Sequence, residues 1–449
     1  MENLEEISKK AIKALKKSGY SAFLVGGSVR DRLMNRQVHD IDIATGAKPE
    51  ETISVFKNRT VVPTGLKHGT VTVLFEKTPV EITTFRTEKG YSDNRHPDKV
   101  EFSKSIEEDL SRRDFTMNAI ACNENGVLTD PFGGKGDIEK KLIRAVGDAE
   151  TRFKEDSLRI LRALRFSSVL DFEIEEATEK AIKSCCSLLK NLSPERISNE
   201  LSKLLCGKKA DAVLLAYPEV FSEIIPCLAP MVGFCQHNRH HRFDIYEHTV
   251  NVVKNVRPVL YMRLAALLHD CAKPLTFSLD EKGEGHFYSH APKGAALAKE
   301  LLSSLRFDGD TIEKAVKLIK IHDSPIECSE VAVKKKLRRL GEETFFDLVE
   351  LQRADNLAQS EEFSFRQKNF DYLEKTAKEI LKENECFSLK SLAVNGDDMI
   401  SLGFFKKEIG EALNFLCEAV IEERVKNEKE ALLSLAESEK EHIKNRAEA

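Results

Sequence analysis

The sequence predicts an α+β fold, with a small mixed sheet inside the first 140 residues and an all-α remainder. Two observations lead to this. Short runs in which apolar and polar residues alternate, the period of half-buried strands, are confined to the N-terminal third. From Ile138 onward apolar residues recur every three or four positions, as on amphipathic helices, and no strand pattern of comparable strength returns. With 449 residues, 41% hydrophobic and 32% charged, the chain has material for several packed cores and is not a disordered polymer.

The elements follow in order. Leu4, Ile7, Ala11, Ile12 and Leu15 form one stripe of a helix whose other faces carry lysines, and Gly19 ends it. S-A-F-L-V reads as a strand running into Gly26-Gly27, where a turn or helix begins. D-I-D-I-A at 40–44 is a second strand, and others are expected at 59–62, 69–75 and 80–85. Helical patterns then run over 154–168, 174–189, 193–206, 208–216, 246–257, 259–270, 290–305, 309–322, 329–340, 342–358, 364–383 and 405–426. Boundaries fall near 140, 225 and 385, and the Glu/Lys/Ala-rich end from about 427 is expected to fray as a surface helix.

Composition removes several function classes. The longest purely apolar stretches, such as Leu264 to Leu268, are far short of a membrane span. The N-terminus alternates acidic and basic residues and has no apolar signal core. Ten scattered cysteines without a C-x-x-C argue against disulfide frameworks and zinc knuckles, and for a reducing cytoplasm. A net charge of -5 is unlike a protein that coats DNA, so any face that meets nucleic acid must be local.

The sharpest local feature is the pair Asp40 and Asp42. Residues i and i+2 of a strand point the same way, so two carboxylates can converge on a divalent metal while Ile41 and Ile43 anchor the strand. A solvated edge strand is the plain alternative. Upstream, Gly26-Gly27-Ser28 and Arg30 form a turn whose backbone N–H groups, hydroxyl and guanidinium suit a phosphate. A triphosphate delivered to a D-x-D strand implies nucleotidyl transfer.

The motifs LVGGSVRD at 24–31, HDIDIAT at 39–45, RRDFTMNAI at 112–120, DPFGGKGDI at 130–138 and EDSLRILRALRF at 155–166 keep order and spacing. In them the chain resembles the class II tRNA nucleotidyltransferases, the CCA-adding enzymes and their poly(A) polymerase relatives. The resemblance implies a polymerase-β-like head at 1–140, a helical neck at 141–225, a body at 226–385 and a tail at 386–449. It implies CCA addition to the tRNA acceptor end from CTP and ATP. CC-only, A-only or poly(A) addition stays open as an alternative. It further implies that Asp40 and Asp42 hold two Mg²⁺ ions; Glu81, on the strand V-E-I-T-T-F, faces as a third active-site carboxylate would, a solvated strand residue being the plain alternative. Gly27, Ser28 and Arg30 would hold triphosphate, and Arg112, Arg113, Asp114 and Asn118 would order the site.

Asp156 and Arg159, three apart on an expected helix, would share a face. In the family the matching pair templates the base, and the hydrogen-bond inventory agrees. Asp only accepts and Arg only donates, which suits the amine and ring nitrogen of cytosine and adenine and opposes uracil and guanine. An intrahelical salt bridge is the plain alternative. Arg162 and Arg165 join this nucleotide face, and together with Arg152, Lys154, Arg196, Lys203, Lys208 and Lys209 they are candidates to meet RNA phosphates, solvated helix faces being the plain alternative. The polar stretch 85–102, with Arg86, Asp93 and Arg95, corresponds to a loop needed for the switch from C to A, and its full length favours complete CCA addition. In the body, His248, His269, Asp270, His290, His322 and Asp355 resemble the ligands of HD phosphohydrolases, which implies a second site for a divalent transition metal. His241 has no place in that pattern. A chain acting mainly as an HD-type phosphohydrolase is the reading from a different class.

Overall fold

The computed structural model describes residues 4–66, 69–89, 99–237, 242–383 and 388–448. Two compact units result, one of 1–229 with 304–307, the other of 230–303 with 308–449.

The first unit begins with α1 (Leu4–Lys17), β1 (Ala22–Val25), α2 (Gly27–Leu33), β2 (Ile41–Thr45) and α3 (Pro49–Val55). β3 (Thr60–Gly65), β4 (Thr70–Phe75), β5 (Thr78–Thr84), β6 (Arg86–Lys89), β7 (Lys99–Phe102), β8 (Ala121–Cys122) and β9 (Leu128–Thr129) follow. The main sheet has the order β3-β4-β5-β2-β1-β8-β9, and β6 with β7 form a separate ribbon. Every pair in the main sheet is antiparallel except β2 with β5. That parallel pairing sets Asp42 opposite Glu81. The α1 stripe is buried as its spacing predicts, with Ala11 and Leu15 fully covered. Beneath the sheet, Val25, Ala44, Phe85, Leu110, Ala119 and Ala121 form the core that fixes β1 and β2.

The helical reading of 154–168 needs correction, because α4 (Ile106–Ser111) and α5 (Gly134–Glu139) are followed by two helices in its place. These are α6 (Ala149–Glu155) and α7 (Leu158–Leu170). Next come α8 (Glu176–Cys185) and α9 (Pro194–Leu205). Strands also return beyond the head: Leu142–Ile143 pairs in parallel with Glu173–Ile174, and Phe277–Leu279 pairs with Gly285–Phe287 as a hairpin. These strands are two or three residues long, too short to give a periodic signal. The C-terminal end does not fray either. Leu432, Ala436 and Ile443 are fully buried against Met399, Phe404 and Leu416, because the apolar residues among the Glu and Lys keep helical spacing. No helix among the described residues is long and apolar enough to cross a membrane.

Candidate functional site

β2 carries the acidic face. Ile41 and Ile43 are buried on one side, while Asp42 faces the other beside Glu81. Asp40 sits one residue ahead of the strand and is exposed. Burial and the neighbouring Glu81 charge push the Asp42 carboxyl up to about 6, with Asp40 adding to the shift and Arg113 opposing it. Like charges gathered this way favour a cation between them, and hard oxygen donors suit Mg²⁺. Gly26, at φ 68°, is required here, since a Cβ would lie 3.1 Å from Nη1 of Arg113 and 3.6 Å from Oδ2 of Asp42. Gly27 opens α2, and the Ser28 hydroxyl donates to the Asp40 carbonyl at 2.8 Å while accepting the Asp42 N–H at 3.3 Å. Ser28 therefore holds the two aspartates in place rather than presenting its proton to the open face.

The RRDFTMN segment is a frame of ion pairs. Asp109, fully buried, accepts from Arg112 Nε at 3.0 Å and Nη2 at 2.7 Å, and from Arg113 Nη2 at 3.0 Å. Asp114 accepts from the Phe115 N–H at 2.8 Å, Asn118 Nδ2 at 3.0 Å and Arg162 Nε at 2.8 Å. Arg30 donates to Asn118 Oδ1 at 2.9 Å. Burial alone would raise Asp114, but Arg162 and these hydrogen bonds hold it down at about 2. Because the folded-state value lies below the unfolded one, this stabilisation is complete above about pH 4 and is lost as the pH falls through about 2. Asp114→Asn should therefore cost on the order of 2 kcal/mol at pH 7, a penalty that shrinks toward pH 2. Urea unfolding of both proteins across that range is the check.

Asp156 and Arg159 do not share a helix face. Asp156 ends α6 with extended backbone, and its Oδ1 accepts the Leu158 N–H at 3.1 Å at the start of α7. A short acidic side chain competes for backbone N–H groups in this way, which breaks a helix that periodicity alone would continue. Arg196 on α9 donates Nη2 to Oδ1 and Oδ2 of Asp156 at 3.0 and 2.9 Å. Arg159 is held separately, by Glu155 Oε2 at 2.9 Å and by the carbonyls of Arg152 at 3.1 Å and Arg112 at 3.0 Å. Arg165 pairs with Glu200 at 3.1 Å, and Arg30, Arg162 and Arg165 surround the Phe166 ring at 5.0, 5.5 and 4.2 Å. Of the basic residues set aside for RNA, Arg152, Lys154, Arg162, Arg165 and Arg196 are all engaged in ion pairs within the chain. Asp93, Arg95 and His241 lie outside the described residues.

The second unit brings its six expected ligands together from several helices. His248 lies in the helix Ile245–Asn255, His269 and Asp270 follow Leu260–Leu268, and His290 begins the helix that ends at Ser304. His322 follows Gly309–Ile321, and Asp355 lies within Glu342–Leu357. Nδ1 of His248, His269, His290 and His322 lies 3.3, 2.8, 2.9 and 2.7 Å from the carbonyls of Ala358, Ala266, Phe287 and Ile319. A carbonyl only accepts, so Nδ1 is the donor in each pair and Nε2 is the ring atom turned toward the cluster, that of His248 lying 2.9 Å from Asp355 Oδ1. Nε2 of His290 and His322 then face each other at 3.2 Å. His269 Nε2 and both Asp270 oxygens are buried without a well-directed hydrogen bond. The donor atoms form two groups, His248–His269–Asp270 and Asp270–His290–His322, each compact enough for one metal ion. Imidazole and carboxylate donors fit a divalent transition metal. Sequence reasoning missed Lys273, whose buried ammonium lies 2.7 Å from Asp270 and donates to Gln236 Oε1 at 2.9 Å. Its position three residues after Asp270, one turn along, was the available signal.

Comparison with known proteins places these features. A family model described as the poly A polymerase head domain matches residues 22–144. One described as an RNA and SrmB-binding site of polymerase A matches 171–230, and one described as tRNA nucleotidyltransferase domain 2 matches 289–436. The CCA-adding enzyme of Lactobacillus johnsonii (strain CNCM I-12250 / La1 / NCC 533) is 54% identical over 205 residues, 45% of this chain and 51% of that enzyme. The CCA-adding enzyme of Geobacillus thermodenitrificans (strain NG80-2) is 49% identical over 219 residues, 49% of this chain and 54% of its own. The chain thus spans about half the length of the curated relatives it matches. The crystal structure of Bacillus stearothermophilus CCA-adding enzyme in complex with CTP aligns over 99% of this chain and 100% of its own, at 30% identity and a TM-score of 0.73. The Thermotoga maritima CCA-adding enzyme complexed with tRNA_CCA shares the fold, covering 96% of this chain and 95% of its own at 22% identity and a TM-score of 0.66.

Proposed function

Because this chain belongs to the class II CCA-adding enzyme and poly(A) polymerase family of nucleotidyltransferases, we propose that it adds CCA to tRNA 3' ends from CTP and ATP in the cytoplasm, releasing pyrophosphate. The observation that carries this reading is the face shared by Asp40, Asp42 and Glu81. Asp40 and Asp42 would hold Mg²⁺, with Glu81 as the third carboxylate. Two such ions, when bound, supply an acidified ribose hydroxyl and a counter-charge for leaving pyrophosphate. The chain itself does the rest. Ser28 fixes the strand that bears the aspartates. Arg30 and the N–H groups at the start of α2 would meet the triphosphate, Arg30 by exchanging its present partners Asp31 and Asn118. Asp109 orients Arg112 and Arg113, and Asp114 with Asn118 ties the head to Arg162. Asp156 accepts the exocyclic amine of the base and Arg159 donates to its ring nitrogen, which rejects uracil and guanine by leaving like groups opposed. The full-length stretch 85–102 supports complete CCA addition over CC-only addition.

The test supplies tRNA lacking CCA, then CC-ended tRNA, with each nucleotide separately. Two cytidines on the first and one adenosine on the second are expected. Adenosine on the second without cytidine on the first identifies an A-only enzyme, repeated adenosine on either a poly(A)-adding one, and failure on the second a CC-adding one.

The inward-facing imidazoles favour a second reading for the other unit. There His248, His269, Asp270, His290, His322 and Asp355 would hold divalent transition metal in an HD-type centre that hydrolyses phosphates at nucleotide ends.

A further inference from the structure

On the reading that Asp156 selects the base, we infer that Arg196 is a specificity-positioning residue that leaves a single oxygen of Asp156 to do the selecting. An ionised carboxylate offers about two acceptor sites on each oxygen. Oδ1 of Asp156 uses both, one for the Leu158 N–H at 3.1 Å and one for Arg196 at 3.0 Å. Oδ2 receives only Arg196, at 2.9 Å, among the described residues. One lone pair on Oδ2 is therefore left to accept an incoming amine. Arg196 and the α7 backbone grip the carboxylate from two sides, which sets where that lone pair points.

A second observation concerns the guanidinium itself. Arg196 Nη1 is buried and has no hydrogen-bond partner among the described residues, so no second polar contact fixes that end of the guanidinium. Its only hydrogen-bonding partner among the described residues is Asp156. A tRNA-contacting arginine would turn its fork toward solvent, and this one turns it inward. Arg159 is fixed in the same manner from the other side by Glu155 and two carbonyls, leaving its Nε–H and one Nη2–H for the ring nitrogen. Selection thus depends on an outer layer that holds each selecting group at one angle, since a carboxylate free to rotate would meet a carbonyl-bearing base with less penalty.

Single-nucleotide incorporation on tRNA lacking CCA provides the test, with CTP and UTP measured on the full-length parent, Arg196→Met, Arg196→Lys, Asp156→Ala and the Asp156→Ala/Arg196→Met double variant. The ratio of kcat/KM for CTP over UTP is internal to each preparation, so partial misfolding does not alter it. Arg196→Met should lower that ratio about 10-fold, the size of one misplaced buried hydrogen bond. Arg196→Lys should restore part of it, and the double variant should match Asp156→Ala, because Arg196 acts only through Asp156. A parental ratio in Arg196→Met beside a collapsed ratio in Asp156→Ala would reduce Arg196 to an ordinary ion pair. An equal loss for both nucleotides with a raised KM for tRNA would make it an RNA contact and overturn the inference. If Asp156→Ala itself keeps the parental ratio, the reading of Asp156 fails, an outcome separate from either of these.

Discussion

Asp42→Asn should abolish nucleotide addition, by about a thousandfold or more, while the chain becomes more stable. The first effect follows from the loss of a carboxylate that no neighbour can replace. Asp40 precedes the strand, and Glu81 reaches the face only from β5. Removing one ligand from a site that stabilises developing negative charge forfeits several kcal/mol of barrier lowering. The second effect follows from the Asp42 carboxyl being pushed up to about 6 by burial and Glu81. A folded-state value above the unfolded one means that stability is full below about pH 4 and is lost as the pH rises through about 6. Asparagine carries no charge to desolvate. In chelator at pH 8 the variant should therefore gain up to about 3 kcal/mol, and the gain should vanish near pH 4. Incorporation with Mg²⁺ and urea unfolding with chelator measure the two halves. Activity within tenfold of the parent would rule out the carboxylate mechanism, and an unchanged stability would show that Asp42 carries no stored repulsion.

The acidic face was legible because strand period fixes orientation: in D-I-D-I-A the isoleucines and the aspartates must point to opposite sides of the strand. That Glu81 adjoins Asp42 depends on a parallel register between strands almost forty residues apart, which no local pattern contains. The break at Asp156 was missed for a different reason. Phe153, Ile160, Leu161 and Leu164 are all buried, so the apolar spacing runs across the junction as though one helix continued. What ends α6 is a side-chain-to-backbone hydrogen bond, and hydrophobic periodicity does not register it. The pairing of the neck's basic residues was equally illegible. Arg162, Arg165 and Arg196 pair with Asp114, Glu200 and Asp156, which come from other elements. The six metal-ligand candidates lie across 108 residues, from His248 to Asp355, and only the family resemblance grouped them.

That grouping makes a prediction with an internal control, because Asp270 belongs to both donor sets. Asp270→Asn should therefore remove metal from both positions, whereas His248→Ala or His269→Ala should empty one and His322→Ala the other. The four Nδ1 tethers hold the imidazole rings with Nε2 turned toward the cluster, so little ordering cost opposes binding. Metal bound only to the folded state also stabilises it, by about 2.7 kcal/mol at a hundredfold excess over Kd. Adding Mn²⁺ to chelator-treated parent should accordingly raise Tm, the rise should shrink in the histidine variants, and it should disappear in Asp270→Asn. Any hydrolysis of 2',3'-cyclic phosphate or nucleotide monoesters should fall with metal content. CTP addition to tRNA lacking CCA should stay within about twofold in every variant, since all the head carboxylates lie in the other unit. Elemental analysis after dialysis, read beside Tm, decides the matter. If Asp270→Asn keeps the parent's metal, or if the parent takes up none, the inward-facing imidazoles and carboxylates form a structural polar core and the hydrolase reading falls with them.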